Sequence, residues 1–540
     1  MLLLGALAYS SSLRGEFAFD DLPQIVQNPA IRDLGSLVGP GSRGILPNRY
    51  VAYLTFAMSY QAGGLDPFGW HLANLAIHLT SAVLVWTLVL LAFRTPRLRS
   101  SKLAPSSGAI AFAAAALFVA HPLATQAVSY VVQRITSLTT LFYLLAVVLY
   151  TAWRLSTGTG ARIAAYVGVL VAALLAFRSK EIAFTLPAAL ALVEWAFFEG
   201  GWRRWLPLVP VALLSLLIPL TLVDLGKPVS EVLASADSST RVSTPLAGRH
   251  DYLRTQAVVV ARYLGLLVLP VGQTVDHDVA IRRSWLAPDV AGSALLLASL
   301  ALAGAWLAWR STPRGQRPPL DPAVRLVALG IAWFFVTLSV ESSVIPIADV
   351  MNEHRVYLPS AGLFPGIATA LALLFLRVDP ARVARDTAVA AGLAASLLAV
   401  VTWNRNRVWR SEVALWADAA AKSPGHVRAL SNLGAALLKQ ERYAEAAEVF
   451  RRDVEAHPGS VASRVQLGVT LYLVARPADA ERELRRAVEL DPNDPDALLN
   501  LSVLLRAVGK APEARPYLER LRRVAKSADE RAWAEARLAE

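Results

Sequence analysis

The sequence has 540 residues, of which 55% are hydrophobic and 17% charged, and its mean hydropathy is +0.44. This composition is typical of a membrane protein with several spans and excludes an ordinary soluble enzyme. The chain contains no cysteine, which excludes disulfides, thiolate catalysis and cysteine-ligated metals. The net charge of +12 does not indicate nucleic acid, because the excess of Lys and Arg precedes residue 411 and flanks apolar stretches.

Apolar stretches before residue 404 predict eleven membrane spans, since a span needs roughly 20 such residues. The first is too short to cross, and we interpret it as the end of a longer helix rather than a removable signal peptide. We interpret another apolar run, at 255–270, as a re-entrant or interface-lying helix that Pro270 ends. The predicted spans are 1–13, 68–93, 107–121, 136–153, 163–177, 182–199, 205–223, 289–309, 326–345, 357–376 and 386–403.

Charge predicts the orientation of these spans. Alternate loops hold 15 Lys and Arg but only Asp321 and Asp379 as acids, so we expect those loops in the cytoplasm. The opposite loops would face the periplasmic or extracytoplasmic side of the inner membrane, and they carry every polar motif described below. The predicted outer loops are 14–67, 122–135, 178–181, 224–288 and 346–356.

The composition changes to Ala, Glu, Arg and Leu after residue 403. Pro424, Pro458 and Pro492 recur every 34 residues, which is the period of tetratricopeptide repeats. We therefore predict an all-α protein with two domains: a polytopic helix bundle at 1–403 and a repeat α-solenoid at 404–540. With eleven spans the repeats would lie on the outer face, where such arrays bind an extended peptide or protein.

Two adjacent carboxylates, Asp20 and Asp21, follow the first apolar stretch. One interpretation is an ordinary hydrated loop acid or a helix cap. The other is functional, because neighbouring like charges need a cation, a basic partner or a raised pKa. Such a pair is suited to take a proton from a hydroxyl, or to hold a divalent cation.

The second predicted span carries His71, Asn74 and His78 on one helical face. They would line a cavity, or they would simply donate hydrogen bonds between helices. In "AHPLATQAVSYVVQR", Pro122 should stop a helix and leave His121 at the membrane surface, and Arg134 would bind a phosphate or only anchor the next span.

Three further motifs lie in predicted outer loops. "RSKE" places Lys180 and Glu181 in a short turn, which is a candidate site or only a solvated ion pair. "QTVDHDV" contains Asp276 but has no standard metal-ligand spacing. "NEHRVYLPSAG" places Glu353 and Arg355 before a span, and Arg355 is a second candidate for binding phosphate.

The sequence has no Walker loop, no GxSxG elbow and no HExxH motif, so nothing in it indicates ATP hydrolysis, serine esterase chemistry or zinc proteolysis. Acids, His, Asn and Arg spread over several outer loops suit an enzyme acting at the membrane surface on a phosphate-linked lipid.

The ordered motifs "FAFDD", "NRYVAYLTFAMSYQAGGLDPFGWHLANLAIH", "AHPLATQAVSYVVQR", "RSKE", "LLVLPVGQTVDHD" and "NEHRVYLPSAG", followed by repeats, resemble a known family. It is the transmembrane and tetratricopeptide-repeat O-mannosyltransferases and their bacterial relatives, which are GT-C glycosyltransferases. The resemblance covers nearly the whole chain.

This resemblance implies an inverting transfer of a sugar, with mannose expected, from a polyprenyl-phosphate donor to a protein hydroxyl. It implies that Asp20 or Asp21 is the base and that Arg355 and Arg134 hold the donor phosphate; we add Lys180 to these. It places His71, Asn74 and His121 in the pocket. The family's proline after Arg49 is replaced by Tyr50, which leaves the role of Arg49 open.

Two alternative functions also fit the sequence. One is a membrane-anchored repeat scaffold without activity, and the other is a GT-C transferase that modifies a glycan or a lipid. None of these interpretations requires a cofactor, and a divalent cation held by Asp20 and Asp21 stays an open alternative.

Overall fold

The computed structural model describes residues 1–38, 49–222, 248–312, 320–343, 347 and 349–540, and within these ranges all regular structure is helical. Contacts between residues divide the chain into two compact units. The membrane unit is Met1–Gln273 with Val279–Ser411, and the repeat unit is Thr274–Asp278 with Glu412–Glu540. The predicted all-α fold is thus confirmed; the boundary predicted after residue 403 lies eight residues before this division.

Among the described residues, seven helices of the membrane unit are long and apolar enough to cross a bilayer, or eight if a pair bent by 50° at His121 counts as one span. The chain is therefore a multi-pass membrane protein, and the prediction of eleven spans stays a prediction. The α-helices are Leu2–Tyr9, Leu34–Val38, Tyr50–Gly63, Pro67–Ala92, Ser107–Ala120, Thr125–Val128, Arg134–Leu155, Thr159–Phe177, Leu186–Phe197, Leu208–Ser215, Leu217–Leu222, Arg249–Val268, Pro288–Arg310, Val324–Leu338, Tyr357–Val378 and Val383–Asn406.

Prolines set several of these helix ends. The helix Ser107–Ala120 stops immediately before His121 and Pro122, because proline cannot donate the next helical hydrogen bond. The helix Arg249–Val268 ends two residues before Pro270, as the sequence predicts. The helix Val324–Leu338 ends seven residues before the predicted end of the span 326–345. A loop begins directly after Leu338.

Small residues bring two helices of the membrane unit, Val324–Leu338 and Tyr357–Val378, close together. A Cβ on Gly362 would lie 2.2 Å from Cγ of Trp333, and one on Gly330 would lie 2.8 Å from the carbonyl oxygen of Gly362. The backbones of Val324–Leu338 and Tyr357–Val378 therefore pack directly against each other, as small residues allow in membranes. This packing fixes the start of Tyr357–Val378, and with it Arg355.

The repeat unit is a succession of paired helices. Pro424, Pro458 and Pro492 each lie two residues after a helix end, where a proline ends the repeat as predicted. Gly434 packs on Phe450, and 34 residues later Gly468 packs on Leu484, so the period of the sequence is a period of contacts. The helices are Glu412–Lys422, Val427–Lys439, Tyr443–Ala456, Val461–Leu473, Pro477–Leu490, Pro495–Ala507, Ala511–Val524 and Ala528–Ala539.

Candidate active site

The loop that carries the two acids gives them different surroundings. Phe19 has φ of 54°, a left-handed conformation that bulky residues rarely adopt, and it directly precedes Asp20. The carboxylate of Asp21 is buried and accepts N–H hydrogen bonds from Ala18 (3.1 Å) and Val132 (2.7 Å). Asp20 is partly exposed. Asp21 thus holds the loop to the protein, while Asp20 keeps access to solvent.

Tyr130 contacts both the backbone and the side chain of Asp20. Its hydroxyl accepts the backbone N–H of Asp20 at 2.9 Å, and its ring stacks on Phe19 and on Trp409. Burial, followed by the charges of Asp21 and Asp20, raises the pKa of Tyr130 well above 10. The hydroxyl therefore stays protonated, and it also contacts the Asp20 side chain, where a protonated phenol donates to the carboxylate.

Burial raises the pKa of Asp21 from its ordinary value of 3.8 to about 7, and the charge of Asp20 adds to the increase. The N–H groups of Ala18 and Val132 act in the opposite direction, because they stabilise the ionised form. At neutral pH, Asp21 is therefore close to the midpoint of its titration.

A second group of charges, which we call the cationic cluster, contains Arg49, Lys180 and Arg355 with Glu181 and Glu341. Lys180 Nζ lies 2.8 Å from Glu341 Oε1 and donates to Thr136 Oγ1 at 3.1 Å. Arg49 Nε lies 3.3 Å from Glu181 Oε1. Three cations and two carboxylates thus lie together, and the charge of a third carboxylate, Asp349, also acts on Arg355.

Glu341 shows how closely the three cations gather. Burial alone would raise its pKa, but Lys180, Arg355 and Arg49 outweigh burial and hold the pKa below its ordinary value. Glu341 is therefore ionised and orients Lys180. The Arg355 guanidinium donates to the carbonyls of Val350 (3.1 Å) and Asp349 (2.5 Å), while its Nε has no hydrogen-bond partner among the described residues.

One short segment links the two acids to the cationic cluster. Val132 binds Asp21, and Thr136, four residues later, binds Lys180. Four helical residues advance about 6–8 Å along an axis. The acid loop and the cluster are therefore neighbours within the membrane unit.

Arg134 lies on this segment but points into the protein. It is 1% exposed, and its guanidinium donates to Asn74 Oδ1 (2.6 Å), Ser59 Oγ (2.8 Å) and the carbonyls of Thr55 (3.0 Å) and Trp70 (3.1 Å). Its phosphate-binding role stays a prediction, and these contacts favour a structural role instead.

The predicted polar stripe is also buried and bonded to neighbouring segments. His71 contacts the carbonyl of Gly15 at 3.1 Å, and Asn74 donates to the carbonyl of Val128 at 3.0 Å. His78 contacts Tyr357 Oη at 2.7 Å and the carbonyl of Val119 at 3.2 Å. These contacts match the interpretation of His71, Asn74 and His78 as interhelical partners.

Three other predicted residues are also held by partners. His121 contacts the carbonyl of Leu267 at 3.1 Å, and Glu353 accepts from Gln273 Nε2 at 2.8 Å. Asp276 belongs to the repeat unit, where Arg428 Nη2 lies 2.5 Å from its carboxylate. The described residues include no group of three or more His, Asp or Glu arranged to hold a metal.

Sequence reasoning missed Glu341 and Tyr130. Glu341 was hidden inside an apolar stretch interpreted as a span, although an ionisable residue in such a stretch is itself a signal of function. Tyr130 carries no signal in the sequence, because its role depends on contacts with Asp20, which lies 110 residues away.

Residues 411–461 and 466–530 match the tetratricopeptide repeat family, which confirms the predicted repeats. The chain is similar to protein O-mannosyl-transferases. It is 33% identical over 165 residues to human TMTC1, covering 28% of this chain and 17% of that protein. It is 25% identical over 506 residues to Tmtc3 of Drosophila melanogaster, covering 83% of this chain and 54% of that protein.

The predicted resemblance is thereby confirmed, and the matched regions span about half or less of these relatives' own length. Among solved structures, the crystal structure of ArnT from Cupriavidus metallidurans bound to undecaprenyl phosphate aligns with 93% of this chain and 83% of its own. The identity there is 15% and the TM-score 0.37.

Proposed function

We propose that the protein is a membrane glycosyltransferase that moves a sugar, mannose in the first instance, from a polyprenyl phosphate to a hydroxyl of a protein. The observation that carries this proposal is the partly exposed Asp20 carboxylate next to the cationic cluster. A base beside several cationic side chains is the minimum that transfer from a lipid phosphate needs. Similarity to protein O-mannosyl-transferases supports the sugar and the acceptor.

In this mechanism the acceptor hydroxyl attacks the anomeric carbon of the donor sugar. The new bond from oxygen to carbon forms as the bond from that carbon to the phosphate oxygen breaks, with inversion at the carbon. Asp20 takes the hydroxyl proton, and polyprenyl phosphate departs with its electrons. Lys180, Arg49 and Arg355 stabilise the charge that develops on the phosphate.

Each acid has its own role in this proposal. Asp20 is the base, because it is partly exposed and is held by Tyr130. Asp21 is a positioning residue, because both oxygens of its buried carboxylate accept backbone N–H groups. The reaction would occur on the outer face of the inner membrane, and the repeats would present the acceptor protein.

The test uses the full chain in liposomes that contain a polyprenyl-phosphate mannose with labelled sugar, together with an acceptor protein rich in Ser and Thr. Asp20→Asn should lower transfer by about 10²–10⁴-fold without lowering thermal stability. The matched control is Glu16→Gln, an exposed acid of the same loop, which should keep full activity.

Full activity of Asp20→Asn would remove the proposed base. Transfer of label to lipid or glycan but not to protein would instead support the alternative acceptor class. If no donor is consumed by the wild-type protein and the repeats still bind a protein, the scaffold interpretation holds.

A further inference from the structure

A cleft of about 700 Å³ opens between three helices of the membrane unit: Pro288–Arg310, Val324–Leu338 and Tyr357–Val378. It lies at the end where the sequence predicts the cytoplasm. Arg355 precedes the helix Tyr357–Val378, and Arg377, which lines the cleft, is near the other end. At 1.5 Å per residue, Arg377 lies about 33 Å from Arg355 along the helix, and Ala370, the lining residue of this helix nearest to Arg355, lies about 22 Å from it. The cleft is therefore a different site.

The walls of the cleft are apolar and open to the surroundings. Trp306 is 53% exposed and Leu374 is 56% exposed, and Leu307, Val327 and Leu373 continue the same surface. In a membrane unit such side chains face acyl chains, and an indole ring is favoured at the level of the headgroups. The walls thus suit hydrocarbon, with an aromatic residue near the polar boundary.

The described residues at the rim of the cleft include two basic side chains. Lys102 and Arg377 are both exposed, and neither makes an ion pair with a carboxylate within the part of the chain that the structure describes. Because exposed cations at a membrane surface attract anions, this rim is complementary to a negatively charged headgroup.

Asp321, the one carboxylate among the described residues of the lining, is already engaged. Its oxygens accept from Ser101 Oγ (2.5 Å), the backbone N–H of Lys102 (3.0 Å) and the backbone N–H of Ala323 (2.9 Å). It shapes the loop that carries Lys102. A headgroup ammonium would therefore gain little from it, which favours an anionic lipid over a zwitterionic one.

We propose that this cleft binds one anionic phospholipid of the bilayer. The headgroup phosphate contacts Lys102 and Arg377, and an acyl chain lies along Trp306 and Leu374. A free phosphate would leave the apolar walls without a partner, and basic pockets between membrane helices are established places for lipid headgroups. The site is independent of the transferase function, because no residue of the cationic cluster takes part.

The experiment measures quenching of Trp306 fluorescence in the full chain reconstituted in nanodiscs. A minor fraction of the lipid carries bromine on its acyl chains, as phosphatidylglycerol in one arm and phosphatidylcholine in the other. The signal of Trp306 is the difference between the wild-type protein and Trp306→Phe. Brominated phosphatidylglycerol should quench this signal more strongly than the same fraction of brominated phosphatidylcholine.

Removing the two cations should abolish this preference. Each charge lost should lower occupancy by the anionic lipid about fivefold, so that Lys102→Gln with Arg377→Gln quenches equally in both arms. The matched control is Arg382→Gln, which removes an exposed charge at the same end that does not line the cleft, and it should keep the preference.

A charge-conserving pair, Lys102→Arg with Arg377→Lys, guards against loss of folding and should also keep the preference. Equal quenching in the two arms for the wild-type protein would overturn the proposal. So would a preference that persists in the double Gln variant.

Discussion

Two groups of polar residues in the membrane unit differ in how deeply they are buried and in whether all their hydrogen-bond donors are paired. Around Arg134, the guanidinium and Asn74 are buried and make their bonds to carbonyls and side chains of neighbouring helices. In the second group, around Asp20 and Lys180, Asp20 and Arg49 are partly exposed, while Lys180 and Arg355 are buried and Arg355 Nε has no hydrogen-bond partner among the described residues. The contacts of the first group favour a role in stabilising the fold, and the second is the group that we propose binds the substrate.

Residue type alone does not distinguish the structural group from the candidate catalytic group. Arginine occurs in both groups, and it suits phosphate in either sequence context. The two groups differ in whether their hydrogen-bond donors are already paired within the protein. A buried group whose donors are all paired gains no further hydrogen bond from a ligand. Variants that act on one group and not on the other test this distinction.

The largest expected effect is on stability, from Arg134→Ala. This change leaves Asn74 and the carbonyls of Thr55 and Trp70 without their donor, and it should lower the free energy of unfolding by about 3–5 kcal/mol. Thermal unfolding of the purified protein in detergent measures it.

Arg134→Lys sharpens this test. It keeps the charge but loses the planar fork, so a structural role predicts that it is also destabilised. A variant with unchanged thermal stability but weaker binding of the lipid donor would instead assign Arg134 to the phosphate site.

The next effect is a pH dependence of stability from Asp21. Its pKa in the folded protein is raised to about 7 from 3.8, so the folded state binds the proton more tightly than the unfolded state. This contribution is fully present below pH 4 and is lost as the pH rises through 7. At about 1.4 kcal/mol per pH unit, the loss is about 4 kcal/mol.

Asp21→Asn removes this titration, so its stability relative to wild type should rise between pH 4 and 7 and then level off. The measurement is the difference in unfolding temperature between the two proteins across that range. A difference that is flat with pH would mean that Asp21 is ionised throughout. Glu16→Gln, an exposed acid in the same loop, serves as the control with no such slope.

Much of the fold follows from the sequence because it depends on local signals. Apolar length predicts the membrane helices, and Pro122 predicts the helix end before it. The 34-residue recurrence of Pro424, Pro458 and Pro492 predicts the repeats, which the family match confirms. The end of the helix at Leu338 was missed, because the predicted span 326–345 extends across the polar stretch SVESS at 339–343 to the apolar residues 344 and 345.

The candidate site follows from the sequence only in part. Asp20, Lys180 and Arg355 were singled out because they lie in predicted outer loops, within motifs whose order resembles the O-mannosyltransferase family. The motifs could not distinguish Arg134 from Arg355, since the partners of Arg134 come from helices 60 to 79 residues away in the chain. Glu341 pairs with Lys180 across 161 residues, and local sequence carries no trace of such a contact.

The smallest effect, and the most specific, concerns Lys180 and Glu341. Lys180→Gln removes one cation from the proposed phosphate site and should lower kcat/KM for the lipid donor by about 10–100-fold. Glu341→Gln should have a smaller effect, because Glu341 orients Lys180 at 2.8 Å and does not itself contact phosphate. Steady-state transfer rates with increasing lipid donor measure both.

The double variant distinguishes positioning from an independent role. If Glu341 acts only through Lys180, then Lys180→Gln with Glu341→Gln should be no less active than Lys180→Gln alone, since residues that share one interaction are not additive. Lys180→Arg, which keeps the charge, should retain more activity than Lys180→Gln. Additive losses in the double variant would show that Glu341 acts on the donor or on Arg355 without Lys180, and the cationic cluster would then be two sites rather than one.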